Sequence, residues 1–215
     1  MTRRLYKKYG KIIIDPKIYA AILKIPRHIF MLSEFRGDTY DESKPFPITK
    51  NQYASSTEVV LSQISWLGPE NGDHILMYGA KGGYIQSLLA ELVGHNGQID
   101  CISSDKEAIN RNKEIIQKFT PYHSQISWFE IEFISDDFTN SRIEIYDKIL
   151  ICGAISGTPR VLHPLLKDRG ILVAPISIPS SEGKKQQKLI CYTKKGKRFY
   201  KTEISDVLYI FGPVF

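Results

Sequence analysis

A chain of 215 residues with 42% hydrophobic and 24% charged residues is long enough for one domain with a sizeable core and an appendage. Its composition excludes a disordered or low-complexity polypeptide. No run approaches the roughly 18 apolar residues that span a bilayer, and the apolar run at 12–14, behind a basic start, is too short for a signal peptide. The formal charge of +6 is concentrated at 3–11 and 184–201. Such clusters either meet a polyanion or simply solvate a terminus and the outer face of a hairpin, the reading to be preferred for a charge run.

The first 50 residues have mixed periodicity, with Pro16, Pro26, Pro45 and Pro47 and an acidic patch at 38–42. They read as short helices and loops forming an appendage (1–50) on a main domain (51–215). Residues 50–67 carry Val59, Val60, Ile64 and Leu67 as a helical stripe. Strand and helix then alternate. His74–Tyr78 is an apolar strand, followed by the turn Gly79-Ala80-Lys81-Gly82-Gly83 and a helix at Tyr84–Val93 that Gly94 ends. Gln98–Ser103 is the second strand and Lys106–Phe119 the next helix. Strands follow at 126–131 and 147–152, then a helix at 159–166 and a strand at 171–176. The final strands, 188–193 and 207–210, pair across a turn at 194–201. This alternation predicts an α/β fold with a doubly wound, mostly parallel, seven-stranded sheet. Its last pair forms an antiparallel hairpin, because a parallel crossover needs a dozen or more residues.

In such a sheet a ligand lies outside the carboxyl ends of the strands. The glycine turn after the first strand stands there, and Gly79, Gly82 and Gly83 permit either a close approach to a ligand or only a tight reversal. Asp105, just past the second strand, either accepts hydrogen bonds from both hydroxyls of a ribose or caps its own helix. Asp136 and Asp137, past the third strand, either receive an adenine amino group or serve as turn residues. Cys101, Cys152 and Cys191 lie far apart in apolar runs. They read as small buried hydrophobes in a reducing compartment, which points to the cytoplasm and to neither a disulfide frame nor a metal cluster. The five histidines show no metal-ligand spacing, and the chain has neither a Gly-x-Ser-x-Gly elbow nor a phosphate-binding P-loop.

The order of several short motifs resembles the protein-L-isoaspartate O-methyltransferases over about residues 25–211. They are Ile25-Pro-Arg-His-Ile-Phe30, Tyr40-Asp41, Pro47-Ile48, Gln52-Tyr-Ala-Ser-Ser56, Ile75-Leu-Met-Tyr-Gly-Ala-Lys-Gly-Gly-Tyr84 and Leu88-Leu-Ala-Glu-Leu-Val-Gly94. Tyr146-Asp147, Leu165-Leu-Lys-Asp-Arg-Gly170, Gln187-Lys-Leu189 and the stretch 207–211 complete the series. The resemblance implies a Rossmann-like class I methyltransferase fold with S-adenosylmethionine as cofactor and S-adenosylhomocysteine as product. It implies methyl transfer to the carboxylate of isoaspartyl residues in damaged proteins, which makes such proteins or peptides the partners, with no membrane and no favoured nucleic acid.

By the same resemblance Ser55 stands beside the reacting carboxylate, against the alternative of a helix N-cap. Gly79, Ala80, Gly82, Gly83, Asp105 and Asp136 fall to the cofactor, and no metal is implied. Four departures stand out. Met77 replaces an acidic residue, Lys81 a glycine, Thr57 a proline, and Ser135-Asp-Asp137 the usual Gly-Asp-Gly. Met77 and Lys81 keep open a non-catalytic relative acting as a binding or scaffold module, and the basic stretch at 184–201 keeps open a methyltransferase acting on RNA.

Overall fold

The computed structural model describes residues 15–40, 46–48, 53–132, 134–178 and 186–207. The basic start at 3–11, Asp41, Pro45, Lys50, Gln52, Lys184 and residues 208–211, all named above, lie outside the described residues.

The described chain opens with helix α1 (Pro16–Lys24), capped by Asp15, whose side chain accepts from the Lys17 amide. Helix α2 (Thr57–Leu67) starts at Ser56, whose Oγ accepts from the Val59 amide at 3.2 Å, and ends at Gly68 in the left-handed region. The stripe at Val60, Ile64 and Leu67 is buried as expected. The helix begins seven residues later than expected, because Tyr53 and Ala54 are extended and pair with Pro47 and Phe46. Strand β1 (His74–Tyr78), helix α3 (Tyr84–Val93), strand β2 (Gln98–Ser103) and helix α4 (Lys106–Phe119) fall on the expected bounds. Strand β3 (Ile126–Glu130), the short helix α5 (Asp136–Asn140) and strand β4 (Tyr146–Ile151) follow.

Two expectations need correction. Residues 159–166 form no α-helix: a single 3-10 turn, Arg160–Leu162, lies between Pro159 and Pro164, and an interior proline removes a helical donor. The chain is already extended at Leu166, opening β6 (Leu166–Ile178), with the two-residue β5 (Ile155–Ser156) pairing beside it. The last hairpin is also displaced. Strand β7 (Gln186–Lys195) turns at Gly196-Lys197 into β8 (Arg198–Val207), so most of the expected turn at 194–201 is strand.

The sheet has eight strands rather than seven. Its order is β3-β2-β1-β4-β6-β7-β8, with β5 against β6. Strands β3, β2, β1, β4 and β6 are parallel, while β7 is antiparallel to both β6 and β8. The two-residue period of a strand sends Ile75 and Met77 to one face, packed with α1, α2 and α3, and Leu76 and Tyr78 to the other, packed with Phe138 and Leu162. Each fully buried Leu or Ile contributes about 1.5–3 kcal/mol. The three cysteines are buried free thiols.

Three basic side chains of the final hairpin meet acidic partners. Lys188 and Lys201 both bond Glu203, and Lys194 bonds Glu144 and the Leu166 carbonyl. Among the described residues no helix is long and apolar enough to cross a membrane.

Candidate active site

The glycine turn joins β1 to α3 at the carboxyl edge of the sheet. Its backbone is held from two helices: the Ala80 carbonyl accepts from the Asn112 amide at 2.6 Å and from the Gln86 amide, and the Ser87 hydroxyl bonds the Gly83 carbonyl. At Gly82 φ is +74°, and a Cβ there would stand 2.9 Å from Ile48 Cδ1. The positive φ and the close approach of Ile48 together require glycine at this position. Lys81 has φ +37°. The left-handed region costs a residue with a side chain about 1–2 kcal/mol.

Beside the turn lies a small cleft lined by Ser55, Lys81, Gly82, Arg27, Phe30 and Tyr84 among others. Ser55 lines it, and Ser56 rather than Ser55 caps α2. The Arg27 guanidinium is buried and fixes this segment, donating to Thr57 Oγ1 at 2.5 Å and to the Ser55 carbonyl at 2.6 Å. It also stands over the Tyr84 ring, 6.0 Å from its centroid. No motif spacing in the sequence assigns Arg27 a function. It sits inside the Ile25–Phe30 motif, but nothing local links residue 27 to residues 55–57.

Burial pushes the Tyr84 hydroxyl well above its ordinary pKa, against a small opposing pull from Arg27, so it stays neutral and able to donate. Burial pushes the Cys152 thiol up to about 12, with Lys81 opposing, which excludes a thiolate nucleophile there. Burial also lowers the pKa of the Lys81 ammonium, partly offset by Cys152.

The other expected site residues stand apart from this cleft. Asp105 caps α4, its Oδ1 accepting from the Ala108 amide at 2.9 Å. Asp136 is exposed in the first turn of α5, behind the cap Ser135, and Asp137 is exposed beside it. The ends of β1 and β3 are tied by the Tyr78 hydroxyl, which donates to the Glu132 carbonyl at 3.0 Å. Met77 is fully buried in the sheet core between Cys101 and Leu150 and is not part of the cleft wall.

The likeness to solved structures agrees with this architecture. A putative protein-L-isoaspartate O-methyltransferase from Plasmodium falciparum, solved with S-adenosyl-L-homocysteine, superposes with a TM-score of 0.80 at 20% identity, covering 97% of this chain and 94% of its own. A second structure, a protein-L-isoaspartate O-methyltransferase, gives 0.78 at 18% identity, covering 99% of this chain and 66% of its own. At these identities the likeness concerns the fold.

In sequence, the protein-L-isoaspartate O-methyltransferase of Dictyoglomus thermophilum is 30% identical over 90% of this chain and 82% of its own length. That of Methanococcus vannielii is 29% identical over 90% and 87%. The family model for protein-L-isoaspartate(D-aspartate) O-methyltransferase (PCMT) matches residues 3–212. With nearly the whole chain matched, and with the glycine turn and Ser55 beside one cleft, this protein belongs to the protein-L-isoaspartate(D-aspartate) O-methyltransferase family.

Proposed function

We propose that the chain transfers a methyl group from S-adenosylmethionine to the carboxylate of isoaspartyl residues in damaged proteins, releasing S-adenosylhomocysteine. The observation that carries this reading, together with the family membership, is the placement of Ser55 in a cleft beside the glycine turn. The residues present suit the cofactor's nucleoside end: carboxylates stand just past β2 and β3, as a ribose and an adenine amino group require. They suit its amino-acid end in a changed form, because Met77 is core and Lys81 lines the cleft.

When bound, S-adenosylmethionine supplies a methyl group made electrophilic by its sulfonium. Asp105 would accept hydrogen bonds from the ribose hydroxyls and Asp136 from the adenine amino group, while Gly79, Ala80, Gly82 and Gly83 would form the backbone wall. The acceptor carboxylate is ionised at neutral pH, so the chain has no need of a strong general base. Ser55 donates a hydrogen bond that aims one carboxylate oxygen, and Arg27 holds the backbone that carries Ser55. Positioning and electrostatics then supply most of the acceleration. The product methyl ester closes to a succinimide, which opens in part to normal aspartate.

In this reading residues 1–50 form an appendage whose Arg27 reaches into the domain spanning 51–215. The three buried thiols suit work in the reducing cytoplasm. A fold retained as a binding module is the second reading, favoured by the burial of Met77 in the core.

Calorimetric titration with S-adenosylmethionine and S-adenosylhomocysteine, followed by methyl transfer to an isoaspartyl peptide and to its normal aspartyl counterpart, separates the two. Binding with methylation of the isoaspartyl peptide alone is the expected result. Absence of nucleoside binding at millimolar ligand overturns the enzyme reading.

A further inference from the structure

We propose that Asn112 and Gln86 form an amide clamp on the peptide between Ala80 and Lys81, which holds the glycine turn in the shape that receives the nucleoside. The inference rests on the methyl-transfer reading and deepens it by naming two positioning residues for the cofactor.

The Ala80 carbonyl lies in the rigid peptide plane that joins Ala80 to Lys81. Its direction is therefore set by ψ of Ala80 and φ of Lys81 together, which stand at −29° and +37°. The left-handed region is disfavoured for a residue with a side chain. Turning the plane over would carry φ of Lys81 to an ordinary negative value and swing the Ala80 carbonyl to the opposite side. Two amides oppose that rotation. Asn112 Nδ2, from α4, donates to the carbonyl at 2.6 Å, and Gln86 Nε2, from α3, donates to the same oxygen. Both side chains are fully buried, and close packing keeps them from following the carbonyl.

The clamped peptide borders the proposed site. Gly82 and Gly83 continue the run of positive φ at +74° and +90°, and Lys81 and Gly82 line the cleft with Ser55. A turned peptide at 80–81 would reshape the backbone that meets the nucleoside.

Packing alone does not account for the two amides. Among the described residues Asn112 Oδ1 and Gln86 Oε1 are buried and accept no hydrogen bond. A buried acceptor without a partner destabilises a fold, and an apolar group of the same shape avoids that penalty. Two such side chains brought to one carbonyl, beside a strained residue, fit a turn held in a binding conformation.

Asn112→Leu and Gln86→Met each replace one amide by an apolar side chain of similar shape and leave the Ala80 carbonyl its other donor. Each variant should keep or raise the melting temperature. By calorimetry each should bind S-adenosylhomocysteine about tenfold more weakly, as a turn that holds the binding shape about one tenth of the time would. In methyl transfer to an isoaspartyl peptide, KM for S-adenosylmethionine should rise by the same factor, with kcat and KM for the peptide unchanged. Adding Lys81→Gly, which removes the left-handed strain, is expected to recover most of the lost affinity. A packing defect at 86 or 112 would not be repaired from that position. Unchanged affinity in both variants overturns the clamp and leaves the methyl-transfer reading intact. So does a loss that follows a lower melting temperature and persists with Lys81→Gly. If the unaltered protein binds no nucleoside, that reading fails, and hydrogen exchange at the Gly82 and Gly83 amides decides the clamp by itself. Exchange that quickens in Asn112→Leu and slows again with Lys81→Gly supports it, and equal exchange removes it.

Discussion

The Arg27 guanidinium and the Thr57 hydroxyl meet at 2.5 Å, which joins the first residue of α2 to a buried arginine thirty residues earlier. The family resemblance places proline where Thr57 stands. A proline at the first position of a helix suits the backbone but offers no hydroxyl, so in this chain the departure at 57 and the burial of Arg27 belong together. Thr57→Val keeps the shape and removes the acceptor. Leaving a buried charged donor unsatisfied costs about 1–3 kcal/mol, and urea unfolding should show that loss. Because the same arginine holds the Ser55 carbonyl, kcat/KM should fall while nucleoside affinity stays. Unchanged stability would show that the contact carries no weight.

Ser56 caps α2, the proposed function gives the adjacent Ser55 an orienting role, and two variants separate the two. Ser56→Ala removes the cap of α2 and should cost about 1 kcal/mol of stability with little effect on methyl transfer. Ser55→Ala should leave stability in place and slow transfer about 10- to 100-fold, the scale of one lost orienting hydrogen bond. An inverted pattern, with Ser55→Ala unstable and fully active, would remove Ser55 from the chemistry.

Asp105 caps α4, and the proposed function adds a ribose-binding role, so the choice of substitution matters. Asparagine caps helices about as well as aspartate, so Asp105→Asn should keep the melting temperature. It replaces a carboxylate by an amide that accepts hydrogen bonds from a ribose more weakly. Calorimetry should then show S-adenosylhomocysteine affinity lowered by about tenfold, the size of a lost charge-assisted bond. Unaltered affinity would confine Asp105 to capping.

Much of this framework is legible in the order of residues alone. The strand at His74–Tyr78 and the helices at Tyr84–Val93 and Lys106–Phe119 coincide with their expected bounds, because β1 is a continuous apolar run between turns and both helices have clear entry and exit residues. Strand β8 is hidden because it is polar and exposed over most of its length, as an edge strand can be. Residues 159–166 mislead because their apolar content imitates a helix that the interior Pro164 interrupts. The cap at Ser56 rather than Ser55 turns on a one-residue shift in where the helix begins, which composition does not encode. Arg27 is invisible for a different reason: its partners are chosen by tertiary packing across the appendage.

A buried cluster at the amino end of the sheet makes stability depend on acid. Tyr146 donates to Asp100 Oδ2 at 2.7 Å, and His74 Nε2 stands 3.2 Å from the same oxygen. Burial alone would raise the Asp100 pKa; the hydrogen bonds from His74 and Tyr146 outweigh it and hold the carboxyl below its ordinary value. A depressed folded pKa gives stability that is present above the unfolded value, about 3.9, and is lost as pH falls through the folded one. Tyr146→Phe should therefore cost about 1–3 kcal/mol at pH 7. It should also flatten the loss of stability on acidification below about pH 4. A variant as acid-sensitive as the parent would place that sensitivity elsewhere.

Met77 provides the most direct test of how far the sheet core has closed over the position that the family gives to an acid. It pairs across the sheet with Cys101 on one side and Leu150 on the other, and Val173 and Cys191 continue the same row on the same face. Met77→Glu would place a carboxyl among these apolar groups, at a cost above about 3 kcal/mol if the group stays ionised. Burial raises a carboxyl pKa, so the sign of the pH effect is opposite to that of Asp100. The penalty should be smallest near pH 4, where the new carboxyl is protonated in both states, and should grow as pH rises above the unfolded glutamate value, about 4.3. Urea unfolding of the parent and the variant at about pH 4 and pH 8 reads this difference directly. A penalty that does not change with pH would mean that the new carboxylate finds a charge partner in the fold. Lys81, the cation in the following turn, is the nearest in sequence to supply one, and adding Lys81→Gly would then bring the pH dependence back.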